Sequence, residues 1–196
     1  MTAPLDPVLS GSVGHDVFLV RHAPTSWTGR RWCGRADPPL TRAGRRIATE
    51  VGRILASHIT PATLILTSPS QRARETAEAI AASWGSPTDV DEDLVEVDVG
   101  LAEGLTWAVL EKRYPEVAER LSAGAPVDWP DGETAIALRA RAARVAHRIT
   151  VRSSAFPLVV VSHGGFLHQL ASGLGSADIA PLAPGGIVRI SGAALR

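Results

Sequence analysis

Three short stretches of this chain place ionisable side chains just after apolar runs: Arg21-His22 after "VFLV", Arg72 beyond "TLILTS", and His163-Gly164-Gly165 after "LVVVS". A strand buried on both faces reads as a short continuous apolar run, so each polar group stands where such a strand would leave its sheet. Open α/β sheets bind ligands beyond the carboxyl ends of their strands, where loops converge and helix N-termini turn free N–H groups outward. Two arginines and a helix N-terminus around two histidines suit a doubly charged oxyanion, because the guanidinium fork matches phosphate bidentately. A neutral imidazole can attack phosphorus if its other nitrogen donates to a backbone carbonyl and fixes the tautomer. The second imidazole can hydrogen-bond an equatorial oxygen that gains charge during transfer. A leaving alkoxide also needs a proton, and "DEDLVEVDVG" offers Glu92, Asp93, Glu96 and Asp98. The residues alone do not rank these four, although a carboxyl kept protonated by burial could serve as general acid.

The elements that must carry these groups alternate. After a strand over 17–22 comes a loop rich in Gly, Pro and Arg, then a helix with Ile47, Val51, Ile54 and Leu55 on one face and Thr41 as its cap. "TLILTS" is the next strand, followed by a helix with Ser68 and Pro69 as cap and first-turn proline and an inward stripe of Ala77, Ile80, Ala81 and Trp84. From 89 to 131 the pattern loosens into a lid-like excursion, with a helix from Thr106 toward Leu121. Leu138, Ala142, Val145 and Ile149 then mark another helix, "LVVVS" a buried strand, and "GGIVRISGAALR" a final strand or hairpin. Repeated strand–helix units predict a three-layer α/β/α fold around a mostly parallel sheet. We expect residues 1–16 to form a loose tail and 17–196 a single domain.

Composition narrows the partners. The chain has 196 residues, 45% of them hydrophobic, enough for one sizeable core. Twenty basic and twenty acidic residues cancel, which gives no electrostatic argument for nucleic acid or a membrane surface. Lys112 is the only lysine, so abundant arginine is a compositional bias rather than a functional signal. The lone Cys33 offers no internal disulfide and no Cys-rich metal pattern. No apolar stretch reaches the roughly 20 residues of a membrane span, and the first 16 residues lack a charged start and apolar centre. A cytoplasmic protein is expected.

The segments "FLVRHAPTSW", "GRADPPLTRAGRR", "LTSPSQRARETAEAI", "DLVEVDVGLAEGLTW" and "VVVSHGGFLHQL" together resemble the histidine phosphatase superfamily, the phosphoglycerate-mutase-like proteins, over roughly 17–174. The resemblance implies that His22 is the nucleophile, Arg21 and Arg72 phosphate ligands, His163 the second histidine, and Glu96 the proton donor. It also implies Thr25, Thr28, Gly34 and Gly164 around the phosphate, and neither a metal nor an organic cofactor. Two positions depart from the family pattern: Ala23 stands where R-H-G is usual, and Thr28 where many members carry asparagine. Ala23 requires a backbone that does not need glycine; the Thr28 hydroxyl can still donate.

The expected activity is hydrolysis of a small-molecule phosphomonoester through phosphohistidine. The rivals are a 2,3-bisphosphoglycerate-dependent phosphoglycerate mutase and a phospholigand-binding regulator without chemistry. The shorter chain and modest lid favour hydrolysis, and "RRWCGRADPPLTRAGRR" looks like the loop of α-ribazole phosphatases. A homodimer is compatible with the sequence but not required by it. The remaining polar groups read as structural: Arg74 as surface, His15, His58, His147 and His168 as solvated or packing residues, Asp98 and Glu103 as lid caps, Cys33 as inert. Trp27 and Trp32 read as loop anchors or, beside Arg30, Arg31 and Arg35, as walls of the site mouth.

Overall fold

Successive strand residues point to opposite faces, and here both sets are apolar, so helices are needed on both sides. In the computed structural model, which describes residues 14–60, 62–176 and 180–195, the strands are β1 (Val17–Arg21), β2 (Leu64–Thr67), β3 (Thr88–Val90), β4 (Leu158–Ser162) and β5 (Ile187–Ile190). Their spatial order is β3-β2-β4-β1-β5, all neighbours parallel except β5, which runs antiparallel to β1. Phe18, Val20, Ile65, Val159 and Val161 pack under helices α1 (Arg42–Ala56) and α2 (Gln71–Ala81). Val17, Leu19, Leu66, Leu158 and Val160 pack under α5 (Ala135–Ser153) and α6 (Gly164–Gly173). The expected three layers are thus present around a mixed sheet.

Register sets the site. Arg21 pairs with Ser162 and Thr67 with Val161. His22 N–H donates to Ser162 O at 2.9 Å, and Ser68 N–H to Val161 O at 3.0 Å. The three central strands therefore end at one level, and His22, Ser68 and His163 leave the same rim.

Several elements differ in detail from expectation. Thr41 caps α1 by accepting from Gly44 N–H at 2.9 Å, but Ile47 and Ile54 are 38% and 46% exposed. The buried face is Gly44, Ala48, Val51, Gly52 and Leu55. A Cβ on Gly52 would lie 3.1 Å from Ile80 Cα, so close approach to α2 turns the small residues inward and the isoleucines out. Helix α2 starts later than Ser68-Pro69 suggests: Ser70 is in the cap position without a side-chain bond, and Asp37 Oδ2, from the preceding loop, accepts from Gln71 N–H at 2.7 Å. The helix expected from Thr106 to Leu121 is two, α3 (Trp107–Arg113) and α4 (Pro115–Ser122), because Tyr114 before Pro115 leaves the helical region. These helices close a separate cluster with Val99, Ala102, Trp32 and Trp129.

Thr88–Val90, which overlaps the start of the excursion expected over 89–131, adds a short strand to the sheet edge through its pairing with β2. Both edge strands carry a central ion pair: Asp89 with Arg152 at 3.2 Å and Arg189 with Asp16 at 2.7 Å. Of the expected loose tail, residues 1–13 lie outside the described residues. His15 N–H donates to Ser153 O at 2.7 Å, and Asp16 Oδ1 accepts from Gly192 N–H at 3.1 Å.

Candidate active site

At the end of β1 the His22 ring is almost fully buried, and its Nδ1 lies 2.8 Å from the Ala23 carbonyl. A carbonyl only accepts, so the proton sits on Nδ1 and Nε2 keeps its lone pair. Ala23 N–H donates to Thr76 Oγ1 at 3.1 Å. Among the described residues only Asp131 combines a side chain with positive φ, so Ala23 keeps an ordinary backbone. It packs in a small pocket with Leu40 and Ala48.

The His163 ring stands 5.1 Å from that of His22, at 60°. Its Nε2 meets Ser68 Oγ at 2.8 Å, and its Nδ1 is buried without a partner. Ser68, read from sequence as a helix cap, is instead the residue that orients His163. Arg72 is completely buried: Nη1 donates to Ala36 O at 2.6 Å and Nη2 to Gly34 O at 3.1 Å. Arg21 Nη1 donates to Leu182 O at 2.7 Å. The Nε of each arginine is buried and unpartnered. An unsatisfied buried polar group costs about 1–3 kcal/mol, so these three nitrogens on one rim, two of them arginine donors, describe a seat for an oxyanion.

The fields agree with this geometry. Burial, then Arg72 and Arg21, push the His22 pKa down to about 3 against the opposing Ala23 hydrogen bond. His163 is lowered well below the ordinary histidine value by burial, then by Arg72, His22, Arg21 and Arg141. Both imidazoles are neutral at pH 7, as a nucleophile must be. The Arg21 pKa is itself lowered by burial, with Glu96 opposing the shift.

The structure separates the four carboxyls that the sequence leaves level. Glu92 is exposed, Asp93 pairs with Arg144 and Arg148, and Asp98 Oδ1 accepts from Gly100 N–H at 2.9 Å. Glu96 alone reaches the rim. Its Oε1 accepts from Val97 and Phe166 N–H, both at 2.9 Å, and its Oε2 from Gly165 N–H at 3.3 Å. The N-terminus of α6, expected as a free seat for phosphate, is therefore largely occupied by the Glu96 carboxyl group. Gly164 N–H is the first-turn donor that Glu96 leaves free. Both glycines have a steric reason: a Cβ on Gly164 would lie 3.0 Å from Arg21 Cζ, and one on Gly165 2.9 Å from Glu96 Oε1.

The other expected phosphate contacts line the loop after β1. Thr25 N–H donates to Thr28 Oγ1 at 2.9 Å, and Trp27 N–H to Thr25 Oγ1 at 3.2 Å, so these hydroxyls fold the loop on itself. Gly34 stands against Val99 and Glu103 at φ 49°, and its carbonyl holds Arg72. Glu103, read as a lid cap, ties lid to loop by accepting from Ala36 N–H at 2.7 Å. Trp32 packs between the tilted rings of Trp107 and Trp129 as an anchor. Cys33 Sγ donates to Ala36 O, and burial raises its pKa. Arg74, His15, His58, His147 and His168 are exposed and take no part. Among the described residues no group of three His, Cys, Asp or Glu side chains could hold a metal ion, and no helix is long and apolar enough to cross a membrane.

Sequence reasoning missed Ser68, Thr76 and Asp37 as supports, and also Arg141, a buried arginine behind Glu96.

The chain as a whole has relatives. The uncharacterized phosphatase PhoE of Bacillus subtilis is 31% identical over 166 residues, 83% of this chain and 78% of that one. The probable phosphoglycerate mutase GpmB of Klebsiella pneumoniae is 36% identical over 159 residues, 80% and 73% of the two chains. This chain spans only 45% of the bifunctional protein Rv2228c of Mycobacterium tuberculosis, which it matches at 34% identity. The solved mycobacterial glucosyl-3-phosphoglycerate phosphatase Rv2419c shares the fold at a TM-score of 0.77 and 22% identity, covering 90% of this chain and 89% of that one. The sequence pattern of the histidine phosphatase superfamily (branch 1) matches residues 17–186, from the strand that delivers Arg21-His22 past the helix that Glu96 caps. The chain belongs to that superfamily.

Proposed function

We propose that this chain hydrolyses small-molecule phosphomonoesters without a metal, through a phosphohistidine at His22. One observation carries the reading: three buried, unpartnered nitrogens, Arg21 Nε, Arg72 Nε and His163 Nδ1, surround an imidazole whose tautomer leaves Nε2 free. The substrate phosphoryl group neutralises those donors. His22 Nε2 attacks phosphorus, a P–N bond forms, the P–O bond to the leaving group breaks, and the Glu96 proton passes to the departing oxygen. Glu96 then accepts a proton from water as it attacks phospho-His22. The P–N bond breaks and inorganic phosphate leaves. When the Ser68 hydroxyl turns from Ser70 Oγ, 3.3 Å away, to donate to His163 Nε2 at 2.8 Å, His163 Nδ1–H becomes a donor to the equatorial oxygens, where charge grows.

Similarity to PhoE, a phosphatase, supports hydrolysis, and similarity to GpmB, a probable phosphoglycerate mutase, supports mutase chemistry; the same residues would serve either. The test is phosphate release from p-nitrophenyl phosphate and a panel of phosphometabolites with chelator present, together with capture of the phosphoenzyme. Chelator-resistant turnover that falls on the order of 10⁴-fold or more in His22→Ala, with loss of an acid-labile phosphoenzyme, is the expected result. An active His22→Ala overturns it. Bisphosphoglycerate-primed interconversion of phosphoglycerates outrunning phosphate release would assign the chain to the mutases.

A further inference from the structure

Arg141 lies on the inward stripe of α5 with Leu138, Ala142 and Val145, and it is only 6% exposed. Its guanidinium makes four hydrogen bonds. Nη1 donates to Asp93 O at 2.7 Å and Val95 O at 2.8 Å; Nε and Nη2 grip the two oxygens of Glu133 at 2.9 and 2.6 Å. Its Cζ sits 4.2 Å from the centroid of the Phe166 ring.

Two of these partners bear directly on Glu96. Val95 is the residue before it, and Phe166 supplies one of the N–H groups that hold its carboxylate. Arg141 thus grips Glu96 from both sides: the chain leading into it, and the helix turn on which it rests. The segment from Glu92 to Val99 has one 3-10 turn of its own, Glu92–Leu94, and no strand pairing to hold it, so its placement leans on side-chain contacts, Ser162 Oγ donating to Leu94 O at 2.6 Å among them. Arginine suits this task where lysine does not, because its planar fork can hold two carbonyls and a carboxylate while stacking on an aromatic face. Glu133 fixes the fork and stands just past the lid segment, so Arg141 joins both ends of that segment, alongside the Arg144, Arg148 and Arg152 ion pairs that tie its start to α5.

We propose that Arg141, braced by Glu133, is the positioning residue that holds Glu96 at the reaction centre, so that its loss removes proton donation while leaving the phosphate seat assembled. This rests on Glu96 acting as proton donor, as in the mechanism above. Proton donation matters most for a poor leaving group. An alkyl phosphate expels a basic alkoxide, whereas p-nitrophenyl phosphate expels a phenolate acidic enough to depart with far less help. A residue acting through Glu96 therefore changes the ratio between the two substrates, and one that merely supports the fold depresses both alike.

The experiment compares kcat/KM, which reports formation of the phosphoenzyme, for glycerol phosphate and p-nitrophenyl phosphate in wild type, Glu96→Gln, Arg141→Met and Arg141→Lys. A double variant, Arg141→Met with Glu133→Gln, removes both charges together, so that no buried carboxylate is left unpaired if the single variant fails to fold. Glu96→Gln is expected to depress the alkyl phosphate about 10²-fold more than the aryl phosphate, the scale of general acid catalysis. The Arg141 variants, the double included, should reproduce at least about a tenfold bias. A biased Glu96→Gln with unbiased Arg141 variants overturns the positioning role and leaves the mechanism standing. An unbiased Glu96→Gln overturns the assignment of Glu96 itself, and the present inference with it.

Discussion

Around His22 and His163 the backbone is fixed by a hydrogen-bonded sheet: the two histidines follow adjacent parallel strands in matched register, with Arg21 opposite Ser162. Around Glu96 there is no strand. The carboxylate sits on the first turn of α6, and the chain behind it is gripped by Arg141. One half of the site is positioned by main-chain pairing and the other by side chains gripping a loop. Main-chain pairing survives many substitutions because no single residue supplies it. The loop half concentrates its placement in a few contacts and is correspondingly easy to disable selectively.

Two adjacent glycines break this comparison open most forcefully. Gly164→Ala would push a methyl onto the Arg21 guanidinium, and Gly165→Ala onto the Glu96 carboxylate. We expect the first to raise KM for every phosphomonoester and cut kcat/KM roughly 10²-fold, a loss typical of displaced positioning groups. The second should cut kcat for alkyl phosphates by roughly tenfold to 10²-fold, with a smaller change in KM. Steady-state kinetics on two leaving groups separates them, and identical profiles would show that the two halves are not independent.

Acid titration probes the sheet half alone. His22 has an ordinary value of 6.5 unfolded and about 3 folded, so the unfolded chain takes up the proton first as pH falls. The stability contribution is intact above pH 6.5 and drains away between 6.5 and about 3, at up to about 1.4 kcal/mol per pH unit. Urea unfolding at pH 7 and 4.5 should therefore show a smaller acid loss in His22→Asn than in wild type. Equal losses would mean that His22 protonates freely in the fold.

Ser68→Ala should be the mildest change. It removes the hydroxyl that orients His163, a bond worth about 1 kcal/mol, which corresponds to a loss of roughly fivefold in kcat with the fold unchanged. A drop like that of His163→Ala would show that the hydroxyl does more than orient the ring.

The same contrast explains what could be read from the sequence. Arg21, His22, Arg72 and His163 are legible because each interrupts or follows an apolar strand run, and parallel strands bring such positions together whatever their distance along the chain. Arg141 was hidden among the arginines of α5, although one signal was present: it falls on the inward stripe of Leu138, Ala142 and Val145, where a charge demands buried partners. Those partners are carbonyls of Asp93 and Val95, 48 and 46 residues away, which no spacing rule connects to it. Ser68 misled because a serine before a proline reads as a helix cap; only the level at which β2 ends places its hydroxyl beside His163. The outward turn of Ile47 and Ile54 came from a helix–helix approach that periodicity does not weigh.

The ion pairs at the centres of β3 and β5 also govern how molecules meet one another. A neighbouring chain extending the sheet would have to seat its backbone beside Asp89–Arg152 or Arg189–Asp16, along runs of three and four residues. Short, charged margins of this kind discourage edge-to-edge stacking. A chain of zero net charge, which lacks long-range repulsion near neutral pH, thereby keeps a local defence against aggregation.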